Sequence, residues 1–170
     1  AMGALTWMTV SWIVHGRPSV LGAAAGAVAG LVAITPAAGF VSPASGVVIG
    51  CGGGLFCFFA LETLKTRLRI DDALDVFAVH GIGGIWGALS LGLFAEVGVN
   101  GIGADGLFFG GGLDLMGKQI VAVAVAAAFA GGGSFVLLKV VDLIVGLRVP
   151  EEDEVLGLDP SQHGELAYQL

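Results

Sequence analysis

Residues 46–64 read GVVIGCGGGLFCFFALETL. An apolar run of about 20 residues is the length an α-helix needs to cross a hydrocarbon core ~30 Å thick. Here the run stops at charge, because the chain emerges from it into Lys65, Arg67 and Arg69. Within it Gly46, Gly50 and Gly54 recur every fourth residue. Such a face of small residues lets helix backbones approach closely, which soluble helices avoid and membrane helices exploit. The stretch therefore predicts a transmembrane helix buried in a tight bundle.

The same reading extends outward in both directions. Upstream, residues 19–38 form a second spanning pattern with Gly22, Gly26 and Gly30 at the same spacing. Pro18 suits its start, and Thr35-Pro36 distorts its far end. Residues 1–14 are apolar but too short to span and stop at the breaker cluster His15-Gly16-Arg17-Pro18, so they are read as the tail of a partial first helix. They lack the basic start of a secretory leader, and the chain is expected to begin inside a longer protein. Downstream, a fourth helix is predicted over residues 72–95, with Gly83 and Gly87 packing in the same way. A Gly-rich loop covers residues 96–117, and residues 118–146 make a fifth helix long enough to cross with tilt. Residues 1–146 are thus a membrane region and residues 147–170 a polar tail. The predicted fold class is all-α, a polytopic transmembrane helix bundle.

Composition agrees with that class. The chain is 56% hydrophobic and 12% charged, against roughly 45–50% apolar in soluble domains. Its net charge of −7 owes much to the cluster Glu151, Glu152, Asp153 and Glu154 outside the apolar part, and it offers no nucleic-acid surface. Cys51 and Cys57 share one apolar run and are read as small packing residues, not a bridge or a metal pair. With alternating crossings, Arg17, Lys65, Arg67, Arg69 and Arg148 fall on one side, and the opposite loops offer Lys118 alone. The positive-inside rule puts the basic side and the tail in the cytoplasm.

One ionisable residue lies deep in the fourth apolar segment. His80 is several residues from either predicted end, where an imidazolium would be costly, and an ionisable group at such depth is a functional candidate. The bland reading is a neutral histidine bonded to another helix; haem ligation is a third option that nothing else in the chain completes. Asp75 lies five residues earlier, too far round the helix to pair with His80. Asp71, Asp72 and Asp75 are read as structural, placing negative charge at a helix start or pairing with Arg67 or Arg69.

The run from Asp72 to Gly87, DALDVFAVHGIGGIWG, resembles the signature around the pore histidine in the penultimate helix of Amt/Mep ammonium transporters. The segments GAVAGLVAITPA at 26–37, GLRVPEE at 146–152, Gly157-Leu158-Asp159 and HGELAY at 163–168 resemble the same family, so the likeness covers essentially the whole chain. The resemblance implies a homotrimer of eleven-helix protomers in the cell membrane, each built from two inverted five-helix repeats and a long last helix. This chain would begin within the seventh helix. It implies a narrow apolar pore lined by His80, with Val76 and Val79 as wall and Thr35 near the outer vestibule. The first half's histidine, its gating phenylalanines and its ammonium-receiving groups are absent from these residues, and inverted-repeat transporters place their site between repeats. The tail would be regulatory through Arg148, Glu151, Glu152, Asp159, His163 and Tyr168, docking on the cytoplasmic face with a PII-family signalling protein as a partner.

The resemblance thus implies conduction of ammonium or ammonia, without enzymatic chemistry, cofactor or metal. Three other readings stand beside it: an ammonium sensor of the same fold signalling through the tail, a Rh-type gas channel, and a structural membrane subunit.

Overall fold

The computed structural model describes residues 1–166, and these contain helices and turns without a strand. By contact the chain falls into two compact units, residues 1–124 and 125–170. In the first, helix α1 (Met2–His15) is followed by α2 (Val20–Ile34), which tightens into a 3₁₀ turn at Thr35–Ala37. Pro36 explains the tightening, since it has no N–H to continue the helical ladder. Helix α3 (Pro43–Glu62) runs on as a π turn over Thr63–Arg67. A π-helical segment, Phe77–Ile82, leads directly into α4 (Gly83–Phe94). Helix α5 (Asp114–Ile144) carries the chain into the second unit, where α6 (Glu151–Leu156) and a π turn at Asp159–His163 follow. Four of these stretches are long and apolar enough to cross a membrane: Val20–Ala37, Pro43–Arg67, Phe77–Phe94 and Asp114–Ile144.

Several boundaries differ from those predicted. Helix α3 starts at Pro43 and not Gly46, because proline is preorganised for the first helical turn. Helix α5 starts at Asp114, where Lys118 Nζ meets Asp114 Oδ2 at 2.6 Å one turn on. The largest correction concerns the fourth helix. Asp72 does not begin it, because Asp75 adopts a left-handed backbone with φ of 59°. That residue closes a turn, and the chain beyond it is wound as π-helix over Phe77–Ile82 before α4 begins at Gly83.

The glycine rows pack as their spacing requires. Gly3 of α1 sits between them: a Cβ on Gly3 would lie 2.7 Å from Gly30 Cα, and one on Gly54 would lie 2.5 Å from Gly3 O. Three backbones meet there with no room for a side chain, the close approach that small residues allow within a membrane. Gly46 is the exception, with only Ile34 Cδ1 at 3.7 Å. Around the contact, Trp7, Ala29, Cys57, Phe58 and Val79 form one buried cluster and Ala33, Ala37 and Ile49 another. Trp7 and Phe58 meet edge to face at 5.6 Å. Trp86 Nε1 donates to Ile49 O at 2.9 Å, a polar tie between α4 and α3. Cys57 is buried and both cysteines are free.

Candidate functional site

The segment Phe77–Ile82 positions His80, and its π geometry matters because an extra residue in a turn re-aims side chains, often at functional sites. His80 does not enter the core. It faces an open groove of about 540 Å³ with Val76, Phe77 and Gly81 beside it, Leu64 from the π turn after α3 and Ile70 from the loop that follows. Asp71 and Asp72 also line the same groove. Most of the groove lining is therefore apolar, with Asp71 and Asp72 its two acids.

Both acids belong to the turn before the histidine. Both carboxylate oxygens of Asp72 accept backbone hydrogen bonds, Oδ1 from Val76 N at 3.0 Å and Oδ2 from Phe77 N at 2.8 Å. They satisfy donors that a helix start leaves free. Asp75 O accepts from Val79 N at 2.9 Å, so Asp75 is the residue from which the helical ladder starts. Its side chain meets Lys65 Nζ at 2.5 Å, and not Arg67 or Arg69 as predicted. A second cleft shares Ile70, Asp71 and Asp72 with the groove and is lined in addition by Lys65, Arg69 and Ala73.

The residues predicted for a pore separate into two groups. His80 and Val76 line the groove. Val79 faces the opposite way, 4% exposed in the cluster with Trp7 and Phe58, so within this chain it is core and not wall. Its neighbour position forces this, since consecutive residues lie on different helix faces. Thr35 is exposed at the Pro36 break, where its Oγ1 donates to Leu31 O at 2.7 Å, and it is not among the groove residues. Of the acids, Asp72 caps, Asp75 pairs and Asp71 lies exposed in the groove lining. Leu64, Ile70 and Phe77 were not anticipated; the spacing of Phe77 and Gly81, one turn apart like Val76 and His80, was the available signal.

The tail residues form local contacts of their own. Arg148 Nε and Nη2 donate to the two carboxylate oxygens of Glu154 at 2.8 and 2.9 Å. Those hydrogen bonds, and the charge behind them, hold the Glu154 carboxyl below its ordinary value of 4.5. Glu151 and Glu152 flank a cleft with Pro150, Val155 and Leu156. Asp159 O accepts from Glu165 N at 3.0 Å, and His163 ends the π turn. Tyr168 lies outside the described residues.

The chain is similar to known ammonium transporters. A curated ammonium transporter of Bacillus subtilis (strain 168) is 52% identical over 169 residues, covering 99% of this chain and 42% of its own length. The crystal structure of Saccharomyces cerevisiae Mep2 superposes with a TM-score of 0.83 at 36% identity, over 89% of this chain and 35% of that one. A structure described as a sensor Amt protein matches with a TM-score of 0.83 at 28% identity, over 95% of this chain and 38% of that one. The chain thus spans about two fifths of the length of the curated relative. It is a multi-pass membrane protein, and with residues 1–168 matching the model of the Ammonium Transporter Family it belongs to that family.

Proposed function

We propose that this chain supplies one wall of a conduit for ammonium or ammonia, with His80 in the lumen and Val76 as apolar wall. The observation that carries the reading is an imidazole held in a membrane-spanning segment and turned to an apolar groove instead of the core. Moving a bare ammonium-sized cation into such surroundings costs tens of kcal/mol on a Born estimate. Neutral ammonia avoids that cost. A narrow apolar lumen therefore favours splitting the ion into ammonia and a proton, and an imidazole can accept and return a hydrogen bond or a proton along the way. The work is translocation and not covalent catalysis.

Placement in the cell membrane with a cytoplasmic tail is supported by Arg17, Lys65, Arg67, Arg69 and Arg148, which share one side if crossings alternate. The eleven-helix, inverted-repeat architecture, the homotrimer and PII docking on the tail enter as family expectations. Thr35 remains the proposed outer-vestibule residue. Transport is preferred to sensing because identity to a named transporter far exceeds that to the sensor-type structure.

The test is ammonium uptake by the intact transporter in liposomes. His80→Ala is expected to change uptake, or discrimination against potassium, by on the order of tenfold, the scale of a displaced positioning group. Uptake and discrimination equal to those of the unmodified protein would remove His80 from the mechanism.

A further inference from the structure

We propose that Lys65 and Asp75 are a positioning pair that fixes the direction of the His80 side chain; the assignment rests on the reading of the His80 groove as a conduit wall. Three observations meet at Asp75. Its backbone is left-handed, with φ of 59°, a conformation uncommon for any residue but glycine and costly enough to persist only where its surroundings enforce it. Its Oδ1 is buried, and the Lys65 ammonium 2.5 Å away supplies its compensating charge. Its carbonyl accepts the Val79 amide, the bond from which the helical ladder carrying His80 begins.

The consequence is one of register. Asp72 holds the amides of Val76 and Phe77, and the segment Phe77–Ile82 is wound as π-helix. If Asp75 relaxed to a right-handed backbone, the first turn could close one residue earlier or later. A shift of one residue turns a helical side chain by about 100°. His80 would then exchange places with Val79 or Gly81, one a core residue and the other a groove residue without a side chain. Lys65 belongs to the π turn that ends α3, so the pair also ties the end of α3 to the start of the His80 segment. Neither residue touches the passing solute in this account. Both act through the histidine.

The experiment uses the intact transporter in liposomes and reads two quantities per inserted molecule: ammonium uptake, and the ratio of ammonium to potassium permeation. A loss of correctly folded molecules scales uptake but leaves the ratio unchanged, whereas a rotated His80 alters the ratio. Asp75→Asn keeps a residue tolerant of left-handed backbone while removing the charge, and Lys65→Met removes the partner. Each is expected to lower uptake about tenfold and to shift the ratio. The double variant is expected to be no worse than either single one, because one interaction is removed twice. Lys65→Arg should stay within about twofold. If Lys65→Met fails to insert, the double variant, which leaves neither charge unpaired, is read in the same way. An unchanged ratio, or losses that multiply in the double variant, overturns the pairing. His80→Ala run alongside separates the two ideas: if it behaves like the unmodified protein the conduit reading fails, and if it alone shifts the ratio only the positioning role fails.

Discussion

Val79 and His80 are adjacent in sequence and opposite in fate. Val79 is 4% exposed against Trp7, Ala29, Cys57 and Phe58, whereas His80 looks into the groove with Val76. Removing two buried methyls forfeits their transfer free energy and leaves a cavity, so Val79→Ala is expected to destabilise the protein by about 2 kcal/mol. Val76→Ala, on the groove side, should leave stability within about 0.5 kcal/mol. Unfolding of the purified protein measured by tryptophan fluorescence distinguishes the two, and equal losses would contradict the assigned faces. The histidine's importance was legible in the sequence, because an ionisable residue in an apolar run has few bland explanations. Which of its neighbours faced the groove was not legible. The run VFAVHGI is apolar on every side, and its π winding shifts the expected spacing.

The elements show where sequence patterns carry physical information and where they do not. Glycine spacing in residues 22–30 and 46–54 foretold close helix packing, and α1, α2 and α3 meet through Gly3, Gly26, Gly30 and Gly54. The two ends of the row in α3 are unequal, however. A side chain at Gly54 would meet the Gly3 backbone, whereas one at Gly46 meets only the tip of Ile34. Gly54→Val is therefore expected to cost at least about 3 kcal/mol, the upper end of overpacking penalties, because backbone cannot yield as a side chain does. Gly46→Val should be nearly neutral. Resistance to denaturant in detergent micelles measures both, and equal effects would contradict the packing. The interruption before the fourth helix escaped the sequence reading, because DDALD suits a helix start as well as it suits a capped turn. The short tail helix also escaped, although Pro150, the acids at 151–154 and Gly157 spell its start and stop. Arg148 holds that helix through Glu154. Because the folded Glu154 carboxyl is held below 4.5, the contact contributes above that value and is lost as pH falls through the lowered one. Amide exchange at Glu154 and Val155, corrected for intrinsic chemistry, should step upward on acidification. Glu154→Gln should abolish the step, and its persistence would assign the pH dependence elsewhere.

At the scale of the whole molecule, the chain spans about two fifths of a curated relative's length, and its groove is open along the face that bears His80. A histidine in such a groove functions in conduction only if the assembled transporter encloses it in a path for small solutes. The fold class was legible because hydrocarbon thickness fixes helix length and glycine rows fix helix approach. Enclosure is not legible from a single wall. It is tested most directly by single cysteines at positions 76, 79 and 80 of the intact transporter, in a background carrying Cys51→Ala and Cys57→Ala, exposed to a small cationic thiol reagent in sealed vesicles. Cysteine at 80 and at 76 is expected to react, with reaction at 80 blocking any remaining ammonium uptake, while cysteine at 79 stays unmodified in its packed cluster. Faster reaction at 79 than at 80, or reaction at 80 with lipid-soluble reagents alone, would place the imidazole outside any conduit and contradict the account.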